Sequence, residues 1–239
     1  MDAPVDPLTH GGLIGVLDRA RSLGFTGPGD PRDHIVHALG FVALAGEMVP
    51  EPSESGSVAP SFRGSASSAL DGGPPLDGPH RPLGIDLGTG GGVPGLVLAV
   101  ALPWIRWVLV DSMQRRSSIL DEAVVQLGMS DRVTVRCCRA EDLGREPAIR
   151  QRADLVVARS FGPPAVTAEC AGPLLRLGGR LLVSEPPDSG GQRWPAGPLQ
   201  ELGIEPVGVE RGIMVLAKVA DTPDRYPRRV GVPSKRPLF

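Results

Sequence analysis

Apolar residues recur at two spacings along this chain, and the spacing changes where the architecture should change. Leu13, Val16, Leu17 and Ala20 fall three and four residues apart, which places them on one face of a helix. A second helix is predicted over Pro31 to Met48, with Pro31 in its first turn and Asp30 as its cap. Between Pro50 and His80 the periodicity disappears: 18 of the 31 residues are Pro, Gly or Ser, and apolar residues stand singly. Such a stretch buries too little surface to offset its ordering entropy, so a disordered linker is expected.

From Leu83 onward, short apolar runs alternate with helical periodicity. Strands are predicted at 83–87, 105–110, 133–138, 153–158, 180–185, 205–210 and 212–219. Helices are predicted near 94–101, 113–128, 164–175 and 196–202. This alternation implies an α/β fold, a mostly parallel sheet covered on both faces. Only Arg211-Gly212 separates the last two strands, which fits a C-terminal antiparallel hairpin. The expected organisation is a helical addition (1–49), a linker (50–80), an α/β domain (81–220) and a basic tail (221–239).

The first of these strands carries the strongest chemical signal. Leu83-Gly84-Ile85-Asp86-Leu87 runs into Gly88-Thr89-Gly90-Gly91-Gly92-Val93-Pro94-Gly95, a glycine-rich loop followed by a proline suited to a helix start. The resulting strand–loop–helix offers backbone N–H groups and a positive helix end to a ligand. A dinucleotide would place its pyrophosphate there, but Asp86 stands before the glycines, where its charge repels phosphate. An acid followed by Gly-x-Gly suits a ligand with a cationic amino-acid end, such as S-adenosylmethionine. Asp111 ends the next strand about 20 residues beyond the loop, where a carboxylate can accept both ribose hydroxyls. It also stands where it can cap the helix starting near Met113. Ala140-Glu141 and Arg159 follow the third and fourth strands. Asp86, Asp111, Ala140, Glu141 and Arg159 therefore converge on the carboxyl edge where open α/β sheets bind ligands.

Asp86 to Gly95, then Asp111-Ser112 with Arg115-Arg116, resembles the bacterial small-subunit rRNA methyltransferase G family, also called glucose-inhibited division protein B. Ala140-Glu141 and Ala158-Arg159-Ser160-Phe161 are similar to its later motifs. The segment Tyr226-Pro227-Arg228-Arg229-Val230-Gly231-Val232-Pro233-Ser234-Lys235-Arg236-Pro237-Leu238 is its most specific match. The resemblance implies a class I, Rossmann-like enzyme that uses S-adenosylmethionine to methylate N7 of one guanine in 16S rRNA or the small ribosomal subunit. Carried over by position, it puts cofactor contacts on Gly88, Val93, Ala140, Glu141 and Arg159, to which the loop and the second strand add Gly90 and Asp111. Leu23 to Pro28 and His34 to Leu39 stand where the family has an Asn-Leu-Thr stretch and an Arg-His…Asp-Ser element. The alternatives are a relative acting on another RNA or a small molecule, or one that binds cofactor or RNA without catalysis.

Guanine N7 carries a lone pair and no proton. The implied reaction needs no general base, so no residue is expected to act as an acid or base catalyst. A net charge of −2 gives no global attraction to nucleic acid, and a local basic surface must supply it. The tail offers one: Arg225, Arg228, Arg229, Lys235 and Arg236 against Asp224, with prolines expected to keep it extended and free of helix. It reads as a phosphate clamp through Arg228, Arg229 and Lys235, as a solvated tail or as a segment packed across the domain. Three cysteines without metal-ligand spacing point to reduced thiols and no zinc. No secretory signal or membrane span is recognisable, so a cytoplasmic protein, expected to be monomeric, is the reading.

Overall fold

The computed structural model describes residues 5–52 and 81–239, so the predicted linker lies almost wholly outside the described residues. Two helices open the chain, α1 (Gly11–Ser22) and α2 (Pro31–Met48). His10 caps the first by accepting the Leu13 N–H at 3.1 Å. Asp30 caps the second in a capping box completed by Asp33. The four apolar positions predicted to share a face of α1 are all buried.

The sheet is built from β1 (Leu83–Leu87), β2 (Arg106–Asp111), β3 (Val133–Cys137), β4 (Ala153–Ala158), β5 (Leu175–Ser184), β6 (Ile204–Glu210) and β7 (Ile213–Lys218). Between them run α3 (Gly95–Ala101), α4 (Gln114–Gln126), α5 (Ala140–Leu143), α6 (Pro164–Ala171) and α7 (Ala196–Gln200), and α8 (Val232–Lys235) lies in the tail. The strand order is β3-β2-β1-β4-β5-β7-β6, and β7 alone runs opposite to the other six strands. This is the class I methyltransferase layout expected from the sequence. β1 is central and buried throughout, because both its faces are covered. Its neighbours β2 and β4 connect to opposite sides of the sheet, which opens a crevice at the carboxyl ends of these strands.

The N-terminal helices have no core of their own. Leu13, Leu17, Ile35 and Phe41 pack in one cluster with Leu96, Leu98 and Leu102, with Trp107 of β2 and with Leu155 and Val157 of β4. The Trp104 indole N–H also donates to the Val49 carbonyl at 2.9 Å, tying the end of α2 to the loop before β2. α1 and α2 thus cover one face of the sheet and bring the segment between them to its carboxyl edge.

Three expectations need correction. The helix predicted over 164–175 ends at Ala171, because Gly172-Pro173 follow and proline cannot continue the hydrogen-bond ladder. The strand predicted at 180–185 begins earlier, at Leu175, and its register against β4 shifts between Ala153 and Leu155. The tail is neither extended throughout nor free of helix: Val232–Lys235 forms one turn, with Pro233 in the first turn, where a missing N–H costs nothing.

The tail packs across the domain rather than standing off it. Arg150 donates to the carbonyls of Tyr226 and Thr222 at 2.8 and 2.9 Å, and Arg145 donates to that of Pro227 at 2.6 Å. The Tyr226 hydroxyl donates to Glu201 at 2.9 Å. Arg228 meets Glu169 through two guanidinium bonds, at 2.9 and 2.6 Å, and through its backbone N–H. Glu169 is fully buried and Arg228 only partly so. Truncating the arginine would leave a buried carboxylate without its counter-ion. Arg228→Ala is therefore expected to destabilise the fold by about 3 kcal/mol, the low end for a broken buried pair because Arg228 keeps some solvent. Arg229→Ala, at an exposed position, should stay within about 0.5 kcal/mol of the parent. Urea unfolding midpoints of the two variants check this.

Candidate active site

Three adjoining cavities open at the carboxyl edge of β1, β2, β4 and β5. The first, about 200 Å³, is walled by Gly88, Asp111, Ala140, Glu141, Phe161 and Ser234, among others. The second, about 210 Å³, lies between the glycine loop and the segment joining α1 to α2, with Thr26, His34, Gly90, Val93 and Arg159 in its wall. The third, about 380 Å³, is lined by His37, Phe161, Glu185, Arg193 and Trp194. Gly88, Arg116 and Ser160 belong to both of the first two, and Arg159 and Ser160 to both the second and third.

All seven residues singled out for the cofactor, Gly88, Gly90, Val93, Asp111, Ala140, Glu141 and Arg159, line the first or second cavity. Arg228, Arg229 and Lys235 line none of the three. Arg228 is bound to Glu169, whereas Arg229 and Lys235 are exposed.

Asp86 sits one layer below these walls, fully buried at the end of β1. Its Oδ2 accepts the Gly95 N–H at 2.8 Å, at the start of α3. A Cβ at Gly95 would fall 2.5 Å from that oxygen, so only glycine allows the approach. Burial pushes the Asp86 carboxyl up to about 6, against the opposing pull of Thr89, the Gly95 N–H and the Arg159 charge. The loop above is sealed from the other side: a Cβ at Gly91 would fall 2.4 Å from the Thr26 Cγ2.

Asp111 does not cap α4, whose N-cap residue is Met113 with no side-chain cap bond. Its Oδ1 accepts the Met113 N–H at 2.8 Å, ahead of α4, and its Oδ2 accepts the Gly90 N–H at 3.1 Å, with Arg116 at 3.5 Å. It therefore fixes the two loops against each other while forming part of the cavity wall. Glu141 is buried, and its Oε1 accepts the Gly231 N–H at 3.0 Å. One oxygen of that carboxylate is thus committed to the tail.

Arg159 makes no ion pair within 4 Å among the described residues. Its Nη2 lies 3.0 Å from the His34 Nδ1. Burial lowers its pKa, and the Asp86 charge opposes the shift. The Arg159 Nη1 and Thr26 Oγ1 are buried without hydrogen-bond partners among the described residues, and the buried Asp86 Oδ1 and Thr89 Oγ1 have only each other. Unpaired polar atoms are costly in a protein interior, so a cluster of them marks a place where a ligand supplies the partners. Here donors and acceptors occur together, as the carboxylate and ammonium of an amino acid require.

The sequence reading missed the contribution of the N-terminal segment. Phe25, Thr26, His34 and His37 reach the site from residues far from any glycine-loop signal, and no local motif marks them as lining. Phe25 also lies beneath the guanidinium groups of Arg115 and Arg116, at 5.7 and 5.8 Å. The third cavity was missed as well. Its Glu185 accepts from the Trp194 indole at 2.8 Å and from the Ser189 hydroxyl, contacts visible only once the 185–194 loop is folded. Among the described residues, no three His, Cys, Asp or Glu side chains gather as a metal site. No helix there is long and apolar enough to cross a membrane.

Comparison with known proteins supplies the family. The model of the GidB family, described as rRNA small subunit methyltransferase G, matches residues 75–185. The ribosomal RNA small subunit methyltransferase G of Roseiflexus sp. (strain RS-1) is 40% identical over 195 residues, spanning 77% of this chain and 81% of that one. The protein of that name from Parasynechococcus marenigrum is 38% identical over 181 residues, spanning 68% and 71%. Among solved structures, a Corynebacterium glutamicum protein superposes with a TM-score of 0.51 over 89% of this chain and 92% of its own, at 15% identity, a likeness of fold alone. The identity to the Roseiflexus protein runs over most of both sequences, the family model spans the glycine loop and the strand-end residues described above, and the chain belongs to the rRNA small subunit methyltransferase G family.

Proposed function

We propose that this chain transfers the methyl group of S-adenosylmethionine to N7 of a guanine in 16S rRNA. The observation that carries the reading is the set of buried polar groups of both signs with hydrogen-bonding capacity left over around the glycine loop, between a cavity shaped by Asp111 and one shaped by Arg159. When bound, the cofactor supplies an electrophilic methyl group on a sulfonium. Gly88, Asp111, Ala140 and Glu141 would hold its nucleoside, with Asp111 offering its remaining lone pairs to the ribose. Arg159, Thr26 and Thr89 would face the amino-acid carboxylate and ammonium, with the Asp86 charge beneath them. A dinucleotide has no ammonium to satisfy Asp86, which disfavours a nicotinamide enzyme.

The third cavity is the place for the acceptor base. It adjoins the second through Arg159 and Ser160 and presents the Phe161 ring, a surface on which an unstacked base can lie. Because N7 has no proton to lose, the work of this chain is alignment of base and methyl group and exclusion of water. Single-stranded RNA would approach over an exposed basic rim. Ser234 brings the tail to the first cavity, so its neighbour Lys235, with Arg229 and Arg139, can meet phosphates that Arg228 cannot.

Three measurements test this reading. Small subunits from a strain lacking the gene, incubated with the protein and methyl-labelled cofactor, should take up label at N7 of one 16S guanine; label on no RNA, with cofactor binding intact, would overturn the substrate. Arg229→Glu with Lys235→Glu should weaken RNA binding about tenfold or more at low salt and leave cofactor affinity unchanged in filter-binding and calorimetric assays. Protonated Asp86 no longer attracts an ammonium. Cofactor Kd is therefore expected to be flat above pH 7 and to rise by up to about tenfold per unit below about pH 6. In Asp86→Asn the affinity should be weaker at neutral pH and the acid limb shallower.

A further inference from the structure

His34 does not belong to the sheet or to the glycine loop, yet it touches the arginine at the centre of the site. It is buried near the start of α2, with 8% of its surface exposed. Its Nε2 lies 3.0 Å from the Gly27 carbonyl, which can only accept, so Nε2 carries the ring hydrogen. In the neutral ring Nδ1 then carries a lone pair, and the Arg159 guanidinium donates to it at 3.0 Å. One imidazole thus joins the segment before α2 to the residue that follows β4. The second terminal nitrogen of Arg159, Nη1, remains buried and unpartnered in the same place.

An arginine side chain has four rotatable bonds, and fixing it costs up to about 2 kcal/mol of rotamer entropy. If that ordering is completed before ligand arrives, binding does not have to supply it. Arg159 has no carboxylate within 4 Å to fix it among the described residues, and His34 is its hydrogen-bonding side chain there. We infer that His34 is a positioning residue for the cofactor: its Nδ1 holds the Arg159 guanidinium so that the free Nη1 meets the amino-acid carboxylate. This rests on the reading of Arg159 as the group facing that carboxylate. It gives the N-terminal helices a part in cofactor binding besides covering the sheet.

A histidine that only fastened Gly27 would have a different signature, and two ligands separate the cases. S-adenosylmethionine carries the amino-acid end, whereas 5′-methylthioadenosine keeps the nucleoside and lacks that end. Calorimetric Kd values for both ligands, with thermal unfolding as a check on the fold, are measured for four single variants and one double variant. His34→Ala should weaken S-adenosylmethionine about fivefold to tenfold, the loss expected when a pre-ordered hydrogen-bonding group is released, and leave 5′-methylthioadenosine within about twofold. His34→Asn keeps an acceptor near the position of Nδ1 and should recover most of the loss. His34→Gln, whose amide reaches toward Gly27 instead, should not. Arg159→Ala should weaken S-adenosylmethionine alone, and adding His34→Ala to it should bring no further loss.

Equal losses for both ligands, recovery by Gln but not Asn, or additive losses in the double variant would overturn the inference. A loss in Arg159→Ala without one in His34→Ala would overturn it while leaving the role of Arg159 intact. Unchanged affinity in Arg159→Ala would remove that role and the inference together. If His34→Ala unfolds, the contrast between Asn and Gln decides the question alone.

Discussion

The fully buried carboxylate of Asp86 is the constraint on which the site depends. A charge at the end of a central strand is tolerated only where its surroundings compensate for lost water. One oxygen takes the first N–H of α3, which fixes where that helix begins and requires glycine at 95. The other oxygen faces Thr89, in the field of the Arg159 charge. The loop between strand and helix is then held from above by Thr26 and from the side by Asp111. The glycine run is shaped as much by these three contacts as by its own flexibility.

The basic tail shows how one composition can serve two ends. Arg228 neutralises a fully buried glutamate, and Arg145 and Arg150 bind carbonyls of the segment leading into it. Their charges belong to the fold. Gly231 and Ser234 in turn bring the tail against Glu141 and the first cavity, leaving Arg229 and Lys235 exposed near its edge. Counting positive residues in a sequence cannot separate these groups, because the separation depends on which acids and carbonyls lie opposite.

The N-terminal helices illustrate the same dependence. Their amphipathic spacing was legible at Leu13, Val16, Leu17 and Ala20, and Asp30 with Pro31 marked where α2 begins. That they share their core with α3 and with β2 and β4, and deliver Phe25, Thr26, His34 and His37 to the site, was not legible. Helical periodicity tells which face is buried and is silent on what buries it.

What the amino-acid sequence by itself determined here is local. The strand-to-glycine-loop transition at Asp86, the acid ending β2, the two-residue turn between β6 and β7 and the alternation of strands and helices all depend on neighbours within a few residues. Backbone sterics and capping chemistry act at that range, so these features could be read directly. The tertiary structure alone decided which side chains are used up in holding the fold and which face the cavities. It paired Arg228 with Glu169, set His34 against Arg159, and assembled the third cavity from α2, the end of β4 and the loop after β5. The two side-chain pairs join residues 59 and 125 positions apart. Their partners are fixed by sheet order and packing, which no local pattern encodes.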